Sequence, residues 1–247
     1  MTTLAFEPYA PLDVPKPLAP ELWVIDGPEI RFGYVGLKVP FPTRMTVVRL
    51  PDGGLWLHSP THPSEPLLEQ LAALGPVRFL VAPNSLHYWW LPAWAARFPG
   101  AEVHAAPGLA RKAKRPLPAH ATLGDAPPPA WAEVLDQVLV PGSLLTEVDF
   151  FHRPTRTLIL TDLIENFEPR RIRSRFWRLA MQLAGAADPD GKAPYDMQLS
   201  FLGRRRRLRA AVERMIAWAP ERIALAHGRC YEADGVAELR RAFRWVL

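Results

Sequence analysis

The chain has 247 residues, 49% of them hydrophobic, with nine tryptophans, one cysteine and a formal net charge of +5. That length and composition suit a large α/β domain with a substantial core. The lone Cys230 excludes an internal disulfide framework and fits a reducing cytoplasm, and no apolar run approaches the length of a membrane span.

The positive charge gathers in "RRIRSRFWR" (170–178) and "RRRRLR" (204–209). Neither stretch carries finger spacing, RNA-binding aromatics or a basic zipper, so each reads as a solvated helix face and no nucleic-acid partner is expected. Residues 1–20 are Pro-rich and read as an extended segment ahead of a single domain at 21–247. They lack the basic patch and long apolar core of a signal peptide, which again points to the cytoplasm.

Strand-like runs follow at 22–26, 34–39, 44–50 and 55–60. "PDGG" at 51–54 marks a hairpin, because Asp-Gly supplies the positive φ of a tight turn. "EPLLEQLAALG" (65–75) has apolar residues at helical spacing and a terminal Gly cap. "VRFLVA" (77–82) reads as a buried strand running into the loop "PNSLHYWW". A helix around 90–97 and a strand at 101–106 come next, whereas 107–135 is too broken by proline for long elements. "QVLVPGS", "EVDFFHR" and "TLILTDL" then read as three strands with short turns. Helices at 171–186 and 204–218, a strand at 222–228 and a closing helix at 235–247 complete the chain. Hairpins followed by strand–helix alternation, twice over, imply two β-rich halves covered by helices, an α/β sandwich.

The helix at 171–186 admits two fates. Phe176, Leu179, Ala180 and Leu183 share one face, with arginines at one end. Such a stripe most often packs on the core, which is the expectation here. The second fate is contact of residues 170–185 with a membrane surface.

Taken in order, "APNSLHYWWLPAWAARFPGAEVHAAPG", "VPGSLLTEVDFFHRPTRTLILTD" and "LAHG" resemble the metallo-β-lactamase superfamily. More narrowly, the phrasing is similar to a branch known only as a domain of unknown function. The resemblance implies a four-layer αββα sandwich used by metal-dependent hydrolases. It sets His87 on the last histidine of the family's metal loop and Leu86 where an Asp belongs, with Asn84 and Ala82 where two further histidines belong. Ser143 stands at another histidine position. Asp162, nineteen residues beyond it, stands at the metal-bridging Asp, and His227 at the terminal histidine. One metal has thus lost its strong ligands, while His87, Asp162 and His227 keep three of four for the second. The degenerate motif implies a one-metal site.

Two imidazoles and one carboxylate leave a coordination position open and accept Zn, Fe or Mn. His87 and Asp162 would then serve catalysis as well as the metal, by polarising a substrate oxygen and acidifying water. Asn84 or Glu147 is expected to fix the second imidazole nitrogen. Against these readings stand a helix N-cap for Asp162 and a turn hydrogen bond for His227. Tyr88, Trp89 and Trp90 read as core rather than substrate wall. His58 is weighed as a replacement ligand, His152 as structural and Cys230 as a small buried apolar residue. Two functions follow: a metal-dependent hydrolase taking a small-molecule ester, thioester or phosphate, or a non-catalytic binding or scaffold protein on the same sandwich.

Overall fold

The computed structural model describes residues 4–34 and 37–247, the side chains of Tyr34 and Leu37 excepted. The Pro-rich segment contributes β1 (Lys16–Ala19), which pairs with β2 (Leu22–Tyr34). β3 (Leu37–Arg49) and β4 (Leu55–His58) continue an antiparallel meander, and the predicted turn between them holds Gly53 at φ +83°. After α1 (Glu65–Leu74), β5 (Val77–Ala82) joins β4 in parallel. α2 (Leu91–Arg97), β6 (Glu102–Ala105), α3 (Leu109–Lys112) and β7 (Ala121–Thr122) complete a seven-stranded sheet in sequence order.

The second sheet comprises β8 (Leu135–Pro141), β9 (Thr146–His152), β10 (Thr157–Leu160) and, far along the chain, β11. Between β10 and β11 come α4 (Arg175–Ala184), α5 (Tyr195–Leu199) and α6 (Arg205–Ala217). β11 (Arg222–Leu225) lies parallel to β10, giving the order β11-β10-β9-β8, and α7 (Gly235–Ala242) ends the fold.

The two sheets meet through Trp56, Phe79, Trp131 and Phe150, all fully buried. Leu67, Leu71 and Trp94 from α1 and α2 cover the outer face of the larger sheet. Leu208, Val212 and Met215 of α6, with Leu239 of α7, cover the smaller one. Each such side chain taken from water stabilises the fold by about 1.5–3 kcal/mol. The layers therefore run helix, sheet, sheet, helix.

Several expectations change. The run at 22–26 continues to Tyr34 as β2, which absorbs Gly27 and Pro28 in a register shift between Gly27 and Ile30, where an unpaired residue costs the ladder little. The run at 34–39 is no strand of its own, since Tyr34 ends β2 and Leu37 opens β3, which runs on through 44–49. Val35 and Gly36, inside the run 34–39, lie outside the described residues. The stretch 107–135 holds only short elements, as expected: α3 has four residues and β7 two. The helix expected from 171 starts at Arg175, after a 3-10 turn at Pro169–Arg171, because the Ser174 hydroxyl caps it by accepting from Trp177 N.

The core-packing expectation for that helix fails. α4 buries Met181 in a small cluster with Phe6, Phe167 and Ile172, and Trp177 packs against it. The opposite face is left to solvent: Phe176 is 65% exposed, Leu179 56% and Leu183 69%. Periodicity identified the stripe, but nothing in the described chain covers it.

Candidate metal centre

Three strand ends build the site. β5, β10 and β11 each have a parallel neighbour, and His87, Asp162 and His227 lie just past their carboxyl ends. This is where parallel sheets open a crevice for ligands. His87 Nε2 lies 3.3 Å from Asp162 Oδ1 and 3.2 Å from His227 Nε2, and His227 Nε2 lies 3.4 Å from the same Oδ1. Donors 2.0–2.1 Å from one tetrahedral ion stand about 3.4 Å from each other. The triangle has that edge on all three sides, so the residues present fit a divalent ion.

The remaining ring nitrogens are both engaged. His227 Nδ1 meets the Pro42 carbonyl at 3.1 Å; a carbonyl only accepts, so Nδ1 carries the proton and Nε2 presents a lone pair. His87 Nδ1 meets the Ser59 hydroxyl at 2.6 Å. These partners, rather than Asn84 or Glu147, orient the imidazoles.

Asn84 and Glu147 instead hold the carboxylate and its loop. The Asn84 amide donates to Asp162 Oδ2 at 2.6 Å, Glu147 Oε2 at 2.9 Å and Thr161 Oγ1 at 3.0 Å. Its carbonyl oxygen accepts from Leu86 N and His87 N, an Asx turn that shapes the loop carrying His87. Glu147 accepts the backbone N–H groups of Thr161 and Asp162. No helix starts at Asp162, so the N-cap alternative falls. Behind the loop, Gly228 takes φ +87°, and a Cβ there would lie 2.0 Å from the Asn166 carbonyl oxygen. Only glycine lets the chain leave His227 along that path.

Burial by itself would raise the Asp162 carboxyl. The His87 and His227 imidazoles outweigh it and hold that group well below the carboxylate range. Burial pulls His87 down, but the Asp162 charge and hydrogen bond bring it above its ordinary value. His227 ends below its ordinary value, because burial and the neighbouring His87 outweigh Asp162. Of the two rings, His87 therefore takes the first proton.

The triad faces a cavity of about 350 Å³ with Phe32, Phe41, Leu145 and Met181 among its walls. Trp89 also lines it, contrary to the core reading, Trp90 lines it while packing against the core of the larger sheet, and Tyr88 is buried and accepts from Lys114 N. Leu86, where the resemblance expects a ligand, lines the cavity and is partly exposed. Ser143 donates to the Ser200 carbonyl, and Ala82 is buried. His152 bonds Thr155 as a structural residue, and the Cys230 thiol sits beside Leu225 N, apart from the triad. Glu165, also on the cavity wall, went unnoticed in the sequence. Burial, then the charges of Asp162, Asp196 and Glu147, push its carboxyl well above the glutamate range. Its only signal was an acidic residue three positions past a strand-end Asp.

His58 does not join the triad. It stacks on Trp56 with ring centroids 5.4 Å apart, and its Nε2 has no partner. Burial first, and the charge of His87 second, drop its pKa to about 3. The unfolded chain binds that proton near pH 6.5, so between about 6.5 and 3 acidification favours unfolding. Urea unfolding is expected to show the parent losing up to about 3 kcal/mol more than His58→Phe between pH 7 and pH 4. Equal acid slopes in the two proteins would refute this.

The comparisons with known proteins agree with this architecture. A family model described as "Domain of unknown function (DUF4336)" matches residues 21–175. A metallo-β-lactamase from Pontibacter korlensis superposes with a TM-score of 0.60 at 13% identity, covering 94% of this chain and 98% of its own. The metallo-β-lactamase FIM-1 from Pseudomonas aeruginosa, in its mono-zinc form, gives 0.58 at 14% identity, with 96% and 99% covered. The metal-soaked Flv1 flavodiiron core from Synechocystis sp. PCC6803 gives 0.58 at 15%, with 94% of this chain and 60% of that chain covered. The search of curated proteins returns no match. At such identities the likeness establishes the fold alone, a four-layer αββα sandwich of the metallo-β-lactamase type.

Proposed function

The chain belongs to the DUF4336 family, and from that membership and its fold we propose that it is a hydrolase holding one divalent ion on His87, Asp162 and His227. The observation that carries this reading is the 3.2–3.4 Å triangle of donor atoms. A structural neighbour described in a mono-zinc form lends support, since it shows the sandwich accommodating a single ion.

When bound, the ion supplies a Lewis acid and lowers the pKa of water. The protein's own groups do the rest. Ser59 and the Pro42 carbonyl keep the two Nε2 atoms aimed at one point, and Asn84 keeps Asp162 from turning away. Glu165 stands on the cavity wall with its carboxyl raised by burial and by neighbouring carboxylates, which suits it to give a proton to a leaving group. The apolar walls exclude water and favour an ester, thioester or phosphate with an apolar substituent. The single cysteine, Cys230, is free, which favours a cytoplasmic setting.

The test begins with metal analysis of untagged protein incubated with Zn, Fe or Mn and dialysed. About one ion per chain is expected, followed by turnover in a screen of chromogenic esters, thioesters and phosphodiesters. No retained ion with any metal would sink the proposal. It would also promote the second reading, a binding protein, which the apolar cavity and the exposed Leu86 at its wall favour.

A further inference from the structure

Among the described residues nine large apolar side chains are exposed, and all but Leu4 fall within or beside the segments that wall the cavity. Leu86 and Leu144 are both exposed and cavity-lining. On α4, Ala180, Met181 and Ala184 line the cavity, while Phe176, Leu179 and Leu183 point away from it into solvent. Tyr195 packs next to Gly185 at the end of α4, and Leu199 and Leu202 extend the apolar surface through α5 to the loop at Ser143 and Leu144, which bonds the Ser200 carbonyl. A soluble monomer seldom leaves so concentrated an apolar surface uncovered.

Arginines bracket this surface. Arg173 and Arg175 precede Phe176, and Arg204, Arg206 and Arg207 follow Leu202, all exposed. Among the described residues none of these five has an ion-pair partner, unlike Arg170 and Arg171, which are tied to Glu168. We propose that this face docks on an anionic lipid bilayer, with Phe176, Leu179 and Leu183 in the interface and the arginines on the headgroups. The inference rests on the surface and needs no metal.

Charge decides between occupants. A second copy would bring these arginines against its own arginines, and like charges at a contact destabilise it. A bilayer offers both complements at once: anionic headgroups for arginines, whose long stems reach sideways, and an apolar layer for the leucines beneath. Leu86 and Leu144, exposed and cavity-lining, add apolar surface beside the cavity. No helix among the described residues is long and apolar enough to cross a membrane, so the mode is peripheral.

The test is co-sedimentation of the full chain with phosphatidylcholine vesicles, with and without phosphatidylglycerol, at low and high salt. Binding is expected only with the anionic lipid and is expected to weaken as salt rises. Leu179→Ser/Leu183→Ser is expected to weaken binding about tenfold or more, since two apolar contacts are lost. Arg175→Gln/Arg204→Gln is expected to cost about fivefold per charge. Three results would overturn the proposal: no binding to anionic vesicles at low salt, parent-like binding by the double serine variant, or a vesicle-free dimer that the same variant abolishes. Repeating the assay on metal-stripped protein separates this from the hydrolase reading. Docking that survives without an ion stands even if no substrate is ever turned over, and a loaded hydrolase that ignores vesicles fails here alone.

Discussion

Asp162→Ala is expected to leave the chain unable to retain a divalent ion after dialysis, where the parent retains about one. Changing only the hydrogen-bond partner of a ligand commonly weakens metal binding about 10–100-fold. Removing the one anionic ligand is expected to cost at least about 100-fold by the same scale. His227→Ala, which leaves every contact of Asn84 in place, is the companion variant: it should lose the ion while keeping the parent's circular dichroism. Without metal, Asp162→Ala should also destabilise the fold. Its carboxyl is held below the unfolded value, about 3.9, by the two imidazoles, so its stabilisation is present above that pH and is lost as pH falls through the folded-state value. The gap between parent and variant should therefore narrow on acidification. A variant that binds the ion as tightly as the parent would remove Asp162 from the site.

Asn84→Ala should be the most damaging exchange away from the three donors. It deletes three amide contacts, two of them to carboxylates, and the two backbone contacts that shape the His87 loop. Asp162 Oδ2 would lose its close donor in a buried place, and such networks cost more than single bonds suggest. Urea unfolding at pH 7 is expected to show a loss of about 3–5 kcal/mol. Asn84→Asp should be worse at neutral pH, because it sets a third carboxylate within 2.9 Å of the other two, and should recover partly on acidification. A loss under about 1 kcal/mol for Asn84→Ala would show that the network is not what holds the loop.

The three donors came from the family resemblance, which set His87, Asp162 and His227 at ligand positions; what the residues add is that each follows a buried apolar strand, in "VRFLVA", "LILTD" and "IALAHG". The sandwich was legible through strand and helix periods that neighbouring residues set. What failed was decided across the fold. Ser59 lies 28 residues from His87 and Pro42 185 from His227, so no local pattern announces either contact. Asn84 looked like a histidine's substitute at the metal, but it faces Glu147, 63 residues on, which only the pairing of the sheets brings near. The run at 22–26 is shorter than β2, which continues past Gly27 and Pro28 because a register shift absorbs them. For α4 the stripe was visible and its fate was not, because amphipathicity states which side is apolar and not whether anything lies against it.

His87 hangs from the larger sheet, and Asp162 and His227 from the smaller one. An ion shared by the three is therefore also a rivet between the two halves of the sandwich. The unfolded chain, with these groups 75 and 140 residues apart, has no comparable grip on it. Free ion at a hundred times its dissociation constant would add about 2.7 kcal/mol to the folded state. In the proposed one-metal reading, the protein's lifetime against proteases thus follows the local supply of that ion, quite apart from any reaction the ion takes part in.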